Sequence, residues 1–312
     1  MASVPSADET FDGPEVTRLL ELHKSLVEID STSGTKANCT KLLAKYLESR
    51  GFTVETQHVK GEQENILAYV PGSRENRVLV TSHIDTVPPY LPYERRGDYI
   101  YGRGVVDAKG CIATQVMAVE SLLGDGQISP GDVAMLFVVH EEDSGDGMKA
   151  ANNLGLSWQS VIFGEPTQLK LARGHKGIMS FWLRAHGKAG HSSRPESGRN
   201  AIDILIRAIR AIDGLELPSD DQPGPCTVNL GIIEGGVADN VIPDAAAAKF
   251  LIRISAGTPE EIQDIVRKAV AAVTSDVDVT FGNGLGGVLL DHDVDGFEKI
   301  VVTYGTDIPH LH

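Results

Sequence analysis

Three short apolar runs, each followed at once by acids or a histidine, constrain this 312-residue chain more than any other feature. Val78-Leu79-Val80-Thr81 is nearly all apolar or β-branched, the pattern of a strand covered on both faces. Asp132–Val139 and Ser160–Phe163 read as two more buried strands. An apolar stripe of Leu19, Leu20, Leu22, Leu26, Val27 and Ile29 predicts a helix over Glu15–Ile29, broken by Ser31-Thr32-Ser33-Gly34. A second helix is expected over Ala37–Ser49, with Gly51 suited to the position just past its end, and a third over Ile112–Leu123. With strands at Thr53–Gln57 and Asn65–Val70, the order is that of an α/β fold, a mixed sheet between helices.

After Gly177 the rhythm changes. Strand Ile178–Ala185, helix Ala201–Leu215, strands Thr227–Ile233 and Ala247–Ile254, helix Pro259–Thr274 and strand Asp276–Phe281 follow in turn. That order, βαββαβ, is the ferredoxin-like signature. It predicts a small domain over 178–281, inserted between residues 1–177 and a returning segment, 282–312. One helix is expected in the return, over about Gly296–Thr303.

Charge and cysteine content narrow the partners. The chain has 28 basic and 43 acidic side chains, a net charge of −15. Nucleic-acid binding runs on Lys and Arg displacing phosphate counterions, and docking on an anionic membrane needs the same cations, so neither partner is expected. No run approaches the roughly 18–20 apolar residues of a membrane span, and Met1–Gly13 is polar, without the apolar core of a signal peptide. Cys39, Cys111 and Cys226 show no CxxC spacing, which excludes a disulfide framework or a cysteine zinc finger and suits a reducing compartment. A cytoplasmic protein is the expectation.

The chemistry lies at the strand ends. VLVTS runs into His83-Ile84-Asp85, AMLFVV into His140-Glu141-Glu142-Asp143, and VIF into Gly164-Glu165-Pro166. Between them the glycine-rich Tyr101–Gly110 turn carries Asp107 just before a helix. In open α/β sheets ligands bind beyond the carboxyl ends of the strands, so one shared pocket is expected. So many carboxylates in a partly dry cleft require a counter-charge, and a divalent metal bound by His nitrogen and carboxylate oxygen is the natural one.

SHIDTVP, YGRGVVDAKG, HEEDSGDGM, GEPT and GHSSRPESGRNAID occur in this order and at these spacings. Together they resemble the M20 family of metallopeptidases, which includes acetylornithine deacetylase, succinyl-diaminopimelate desuccinylase and carboxypeptidases. The resemblance runs from about Leu19 to Asp307. It implies a zinc-peptidase-like catalytic domain with a mixed sheet, an inserted dimerisation domain, and two divalent ions, zinc or alternatively cobalt. Carried over by motif, His83, Asp107, Glu142 and Glu165 match the metal ligands, Asp107 being the bridging carboxylate. Glu141 matches the general base and Asp85 the carboxylate that orients the His83 ring. His191 resembles an oxyanion stabiliser reaching the partner subunit's active site, which implies a homodimer through 178–281. Asn240 and Arg253 match the residues that grip a substrate carboxylate. The implied reaction is hydrolysis of an amide or peptide bond beside that carboxylate.

Each assignment has a plainer counterpart. Asp107 suits a helix N-cap, Glu141, Glu142 and Asp143 a solvated loop, Glu165 a turn before Pro166, Asn240 a left-handed turn, and Arg253 a solvent-facing strand position. The resemblance also implies one more histidine ligand downstream of a Gly-Thr-Asp element. That element stands here as Tyr304-Gly305-Thr306-Asp307, and His310 and His312 follow it too closely to be that ligand. A second metal site short of its imidazole is therefore expected, and with it an alternative reading: a truncated relative that dimerises or binds ligand without turnover.

Overall fold

The structure, a computed structural model, describes residues 13–32, 37–220 and 224–312. Most of the polar N-terminal stretch and Ser33-Gly34 of the helix break lie outside the described residues. Two compact units form, one from residues 13–166 together with 306–312 and the other from Thr167–Gly305. Among the described residues no helix is long and apolar enough to cross a membrane.

In the first unit the expected elements form in the expected order. Helices α1 (Pro14–Val27) and α2 (Asn38–Ser49) precede β1 (Thr53–Lys60), β2 (Gln63–Tyr69) and β3 (Val78–His83). A small hairpin, β4 (Glu94–Arg96) and β5 (Tyr99–Tyr101), leads to α3 (Lys109–Gly124), β6 (Val133–Val138), a short α4 (Asp146–Ala151) and β7 (Ser160–Phe163). The sheet runs β1-β2-β6-β3-β7. The first two pairings are antiparallel, and β3 lies parallel to both β6 and β7. Alternation along β6 sends Met135 and Phe137 to a core with Leu26, Leu43, Leu47, Ile112 and Val116 from α1, α2 and α3. Ala134, Leu136 and Val138 face the opposite core with Met148 and Ala151 of α4. Burial on both faces is what the apolar runs encode, each fully buried Leu, Ile or Phe contributing about 1.5–3 kcal/mol.

The second unit contains a four-stranded antiparallel sheet in the order 227–235, 245–254, 177–186, 277–281. Helices Ala201–Asp213 and Pro259–Ala271 pack on one of its faces. This is the ferredoxin-like βαββαβ arrangement. Phe181 stacks on Phe250 with ring centroids 4.9 Å apart, and Thr258 with Glu261 forms a reciprocal cap on the second helix. The helix expected near 296–303 is instead a strand, Lys299–Val302, parallel to Leu171–His175. Its Ile300-Val301-Val302 run is β-branched, which favours an extended chain. That small sheet keeps residues 282–305 with the second unit, and only Thr306–His312 returns to the first.

One buried side chain at the start of β2 fixes the loop after β6. Asn65, fully buried, accepts a hydrogen bond from Val139 N (3.2 Å) and donates to Gly147 O (2.8 Å) and Gln57 Oε1 (3.0 Å). Gly147 must be glycine here, since a Cβ would lie 2.0 Å from Val139 O. Replacing Asn65 by Ala leaves a buried N–H and C=O unpaired, and chemical denaturation should show a loss of about 2–4 kcal/mol.

Candidate metal centre

Parallel pairing of β3 with both neighbours aims three strand ends at one edge. His83 ends β3 opposite Val138 of β6, and Thr81 of β3 pairs with Phe163 at the end of β7. His83 is buried, with its ring tied at both nitrogens. Nδ1–H donates to the Asp85 main-chain carbonyl (2.9 Å), and Nε2 faces Asp107 Oδ1 (3.0 Å) and Glu141 Oε2 (3.9 Å). The carbonyl thus orients the ring. The Asp85 carboxylate, 3.8 Å from Nδ1, instead accepts the backbone N–H groups of Glu141 (3.1 Å) and Glu142 (3.2 Å). Asp85 therefore positions the histidine through its main chain and both glutamates through its side chain.

The glutamate turn is bound from a second side as well. His140 sits at φ 64°, in the left-handed region that a non-glycine residue rarely adopts. Its buried ring faces the Asp143 carboxylate at 3.1 Å from Nδ1, and its carbonyl accepts Gly145 N. The solvated-loop reading of this acidic run thus does not hold for Glu141, whose side chain is only 15% exposed.

Asp107 is delivered by the turn before α3. The N-cap of α3 is Ala108, without a side-chain cap, so Asp107 does not cap the helix. The turn is anchored by His23 Nε2 on Val105 O (3.0 Å), by Lys109 N on Gly104 O (3.0 Å) and by the buried Lys109 ammonium on Ile29 O (2.8 Å). Gly104, at φ 83°, has no room for a side chain, because a Cβ would lie 2.9 Å from Thr86 Cγ2. Glu165 follows Gly164, whose N–H donates to Thr81 O (2.7 Å) and whose carbonyl accepts Ser82 Oγ (2.8 Å).

The ligand atoms of His83, Asp107 and Glu142 lie within 4.8 Å of one another. Around them the acids are strongly perturbed. Burial first, then the neighbouring carboxylates of Asp307, Glu165 and Glu142, pushes Glu141 up to about 9, against the opposing charge of His83. Burial and the charges of Asp107, Asp307 and Glu142 bring Glu165 to about 7. Glu142 is raised by burial and by Asp107. Burial alone would lower His83, but the Asp107 hydrogen bond and the charges of Glu141, Glu165 and Asp85 outweigh it and hold the ring well above its usual pKa. The site draws positive charge into a nest of carboxylates, and an imidazole nitrogen among carboxylate oxygens is a donor set that fits a divalent cation.

Asp307, to which the sequence motifs give no role, joins this nest. It is buried, and its pKa is pushed up to about 7 by burial and by Asp85, against the charge of His83. The signal available in sequence was its place in Gly305-Thr306-Asp307.

A protein-family model described as a peptidase dimerisation domain matches residues 173–278. A peptidase M20 domain-containing protein of Schizosaccharomyces pombe is 43% identical over 96% of this chain and 75% of its own length. The chain belongs to the M20 peptidase family. A probable carboxypeptidase of Aspergillus clavatus is 41% identical, over 94% of this chain and 77% of its own. A tripeptidase structure from Staphylococcus aureus superposes with a TM-score of 0.76 at 24% identity, covering 93% of this chain and 85% of that one, a likeness of fold.

His191, Asn240 and Arg253 lie in the second unit. His191 pairs with Val241 in a two-residue ladder, and Ser192 N donates to Asn240 O (3.0 Å), so His191 and Asn240 share one exposed corner. Ser193 holds the His191 ring, with its Oγ 2.8 Å from Nδ1. Arg253 is half-buried near the far end of strand Ala245–Ile254, whose near end adjoins that corner through Gly187 N on Asp244 O (2.8 Å). At ~3.4 Å per residue, about 27 Å of strand separates Ala245 from Arg253. One copy of this unit therefore does not bring Arg253 together with His191 and Asn240.

The raised acids set the pH response of the metal-free protein. Folded Glu141, Glu165 and Asp307 keep protons that the unfolded chain, with ordinary values of 4.5 and 3.8, has already lost. Stability therefore falls as pH rises from about 5 through 9, and raised His83 acts in the same direction as it deprotonates. Thermal melts in EDTA should show a falling Tm over that range. A divalent cation should flatten the slope, and calorimetry in buffers of different ionisation enthalpy should show proton release on binding.

Proposed function

We propose that the protein is a metal-dependent amidohydrolase of carboxypeptidase or deacylase type, cleaving an amide or peptide bond beside a free carboxylate. The observation that carries this reading is the convergence of His83, Asp107 and Glu142 within 4.8 Å, with the buried carboxylate of Glu141 next to them. His83, Asp107, Glu142 and Glu165 would hold the cation or cations, zinc or cobalt by donor type. When bound, a divalent ion polarises the scissile carbonyl and makes water acidic enough to attack.

The chain's own residues supply the rest. Asp85 O keeps the proton of His83 on Nδ1, which leaves Nε2 as the donor toward the centre. The Asp85 carboxylate, bonded to two consecutive backbone N–H groups, fixes the direction of Glu141 and Glu142. Glu141 takes the proton of the attacking water and passes it to the leaving nitrogen, as its position permits. Arg253 offers a planar fork to the substrate carboxylate, a local cation that a surface of net charge −15 makes necessary. His191 donates to the developing oxyanion, and Asn240, at the same exposed corner, takes part in gripping the substrate carboxylate.

Because about 27 Å of strand separates Arg253 from Ala245, the end that adjoins the His191 and Asn240 corner, a substrate of dipeptide size needs two copies of the chain to meet all three. A homodimer through the ferredoxin-like unit is the assembly proposed. Strand Thr227–Gly235 favours it, an exposed sheet edge carrying Val228, Leu230, Ile232 and Ile233, each between 37% and 58% exposed. Such an edge is a template for pairing with another chain.

Two measurements test the reading. Glu141→Gln should lower kcat for N-acyl amino acids or dipeptides by about 10²–10⁴-fold while stoichiometric zinc uptake persists. Zinc loading without turnover by the unaltered chain would favour the non-catalytic alternative. Lysines at Leu230 and Ile232 should shift the sedimentation coefficient from dimer to monomer and lower activity with it.

A further inference from the structure

The mechanism above gives no task to Asp307, yet its burial is imposed with some force. The residue is 4% exposed, and its Oδ2 has no hydrogen-bond partner among the described residues. The surrounding segment is clamped to the first unit. The Asn152 side chain donates to His310 O (2.8 Å) and accepts His312 N (2.8 Å). The His310 ring fills the space over Gly145, where a Cβ would lie 2.3 Å from it. Leu311 packs against the core of Met148 and Ala151. Docking of 306–312 thus carries a carboxylate inside without providing an N–H for its second oxygen.

An ionised carboxylate removed from water without a donor is strongly unfavourable. The charges acting on it are chiefly His83 and Asp85, and it acts in turn on Glu141 and Glu165. Its carbonyl accepts His310 N (2.9 Å), and the His310 ring lies against Gly145 of the turn that carries Glu141 and Glu142, so Asp307 sits beside that turn. We propose that Asp307 adds its charge to the set that holds the divalent cation, so that cation binding and docking of 306–312 support each other. This rests on the metal-centre reading above. By linkage, whatever weakens the docking weakens the cation site, and the reverse.

Isothermal titration of Zn2+ into the metal-free protein tests this, together with thermal melts in EDTA. Asp307→Asn should raise the Kd for Zn2+ about 10–100-fold and, in melts at about pH 8, raise the Tm of the metal-free protein, because a buried charge is removed. A residue with a merely structural role would lower that Tm. Asn152→Ala, which keeps every acid and removes both clamps, should also weaken Zn2+ binding. An unchanged Kd in Asp307→Asn, or a lower metal-free Tm, overturns the role of Asp307 and leaves the centre standing. An unchanged Kd in Asn152→Ala overturns the coupling to docking. No stoichiometric Zn2+ uptake by the unaltered chain overturns the metal centre itself and this proposal with it.

Discussion

Parallel pairing of the strand ending at His83 with both of its neighbours is the constraint on which the first unit depends. Parallel strands point their carboxyl ends the same way, and their connections must cross over through helices. Three loops that are far apart in sequence therefore open at one edge, and whatever polar groups they carry become neighbours. The sheet is apolar on both faces, so these groups have nowhere else to go. The chemistry is assembled by topology, and the side chains of the loops refine it.

The refinement consists mostly of backbone donors being captured by buried polar side chains. Asp85 and Asn65 between them take the N–H groups of Val139, Glu141 and Glu142. Neither contributes to the cluster of ligand atoms, yet the direction of the glutamates depends on both. The cost of leaving such donors unpaired inside the protein, about 1–3 kcal/mol each, is what keeps the turn in one conformation.

Much of this was legible in sequence, for identifiable reasons. Period and apolarity located the buried strands, the helices and the βαββαβ order, because burial on one or two faces leaves a direct mark on the residues. Co-linear motifs pointed to His83, Asp107, Glu141, Glu142 and Glu165. The strand at Lys299–Val302 is not legible, since a four-residue run is too short for its period to decide and its pairing partner lies 128 positions upstream at Leu171. The role of Asn65 was invisible, as a lone polar residue inside a strand carries no pattern. The orientation of His83 by a carbonyl in place of a carboxylate was also beyond reach, because main-chain atoms are the same at every position.

The clamp on 306–312 bears on the order in which the protein is made. Residues 13–166 emerge first and can build their sheet, but residues 306–312 are translated only after all 139 residues of Thr167–Gly305. During synthesis the seat for His310 and Leu311 stays open until then. Domains generally fold as units, in order of synthesis. Here the segment that seats on the first unit follows the whole of the second in the chain, so the nest gains the charge of Asp307 only after both have been translated.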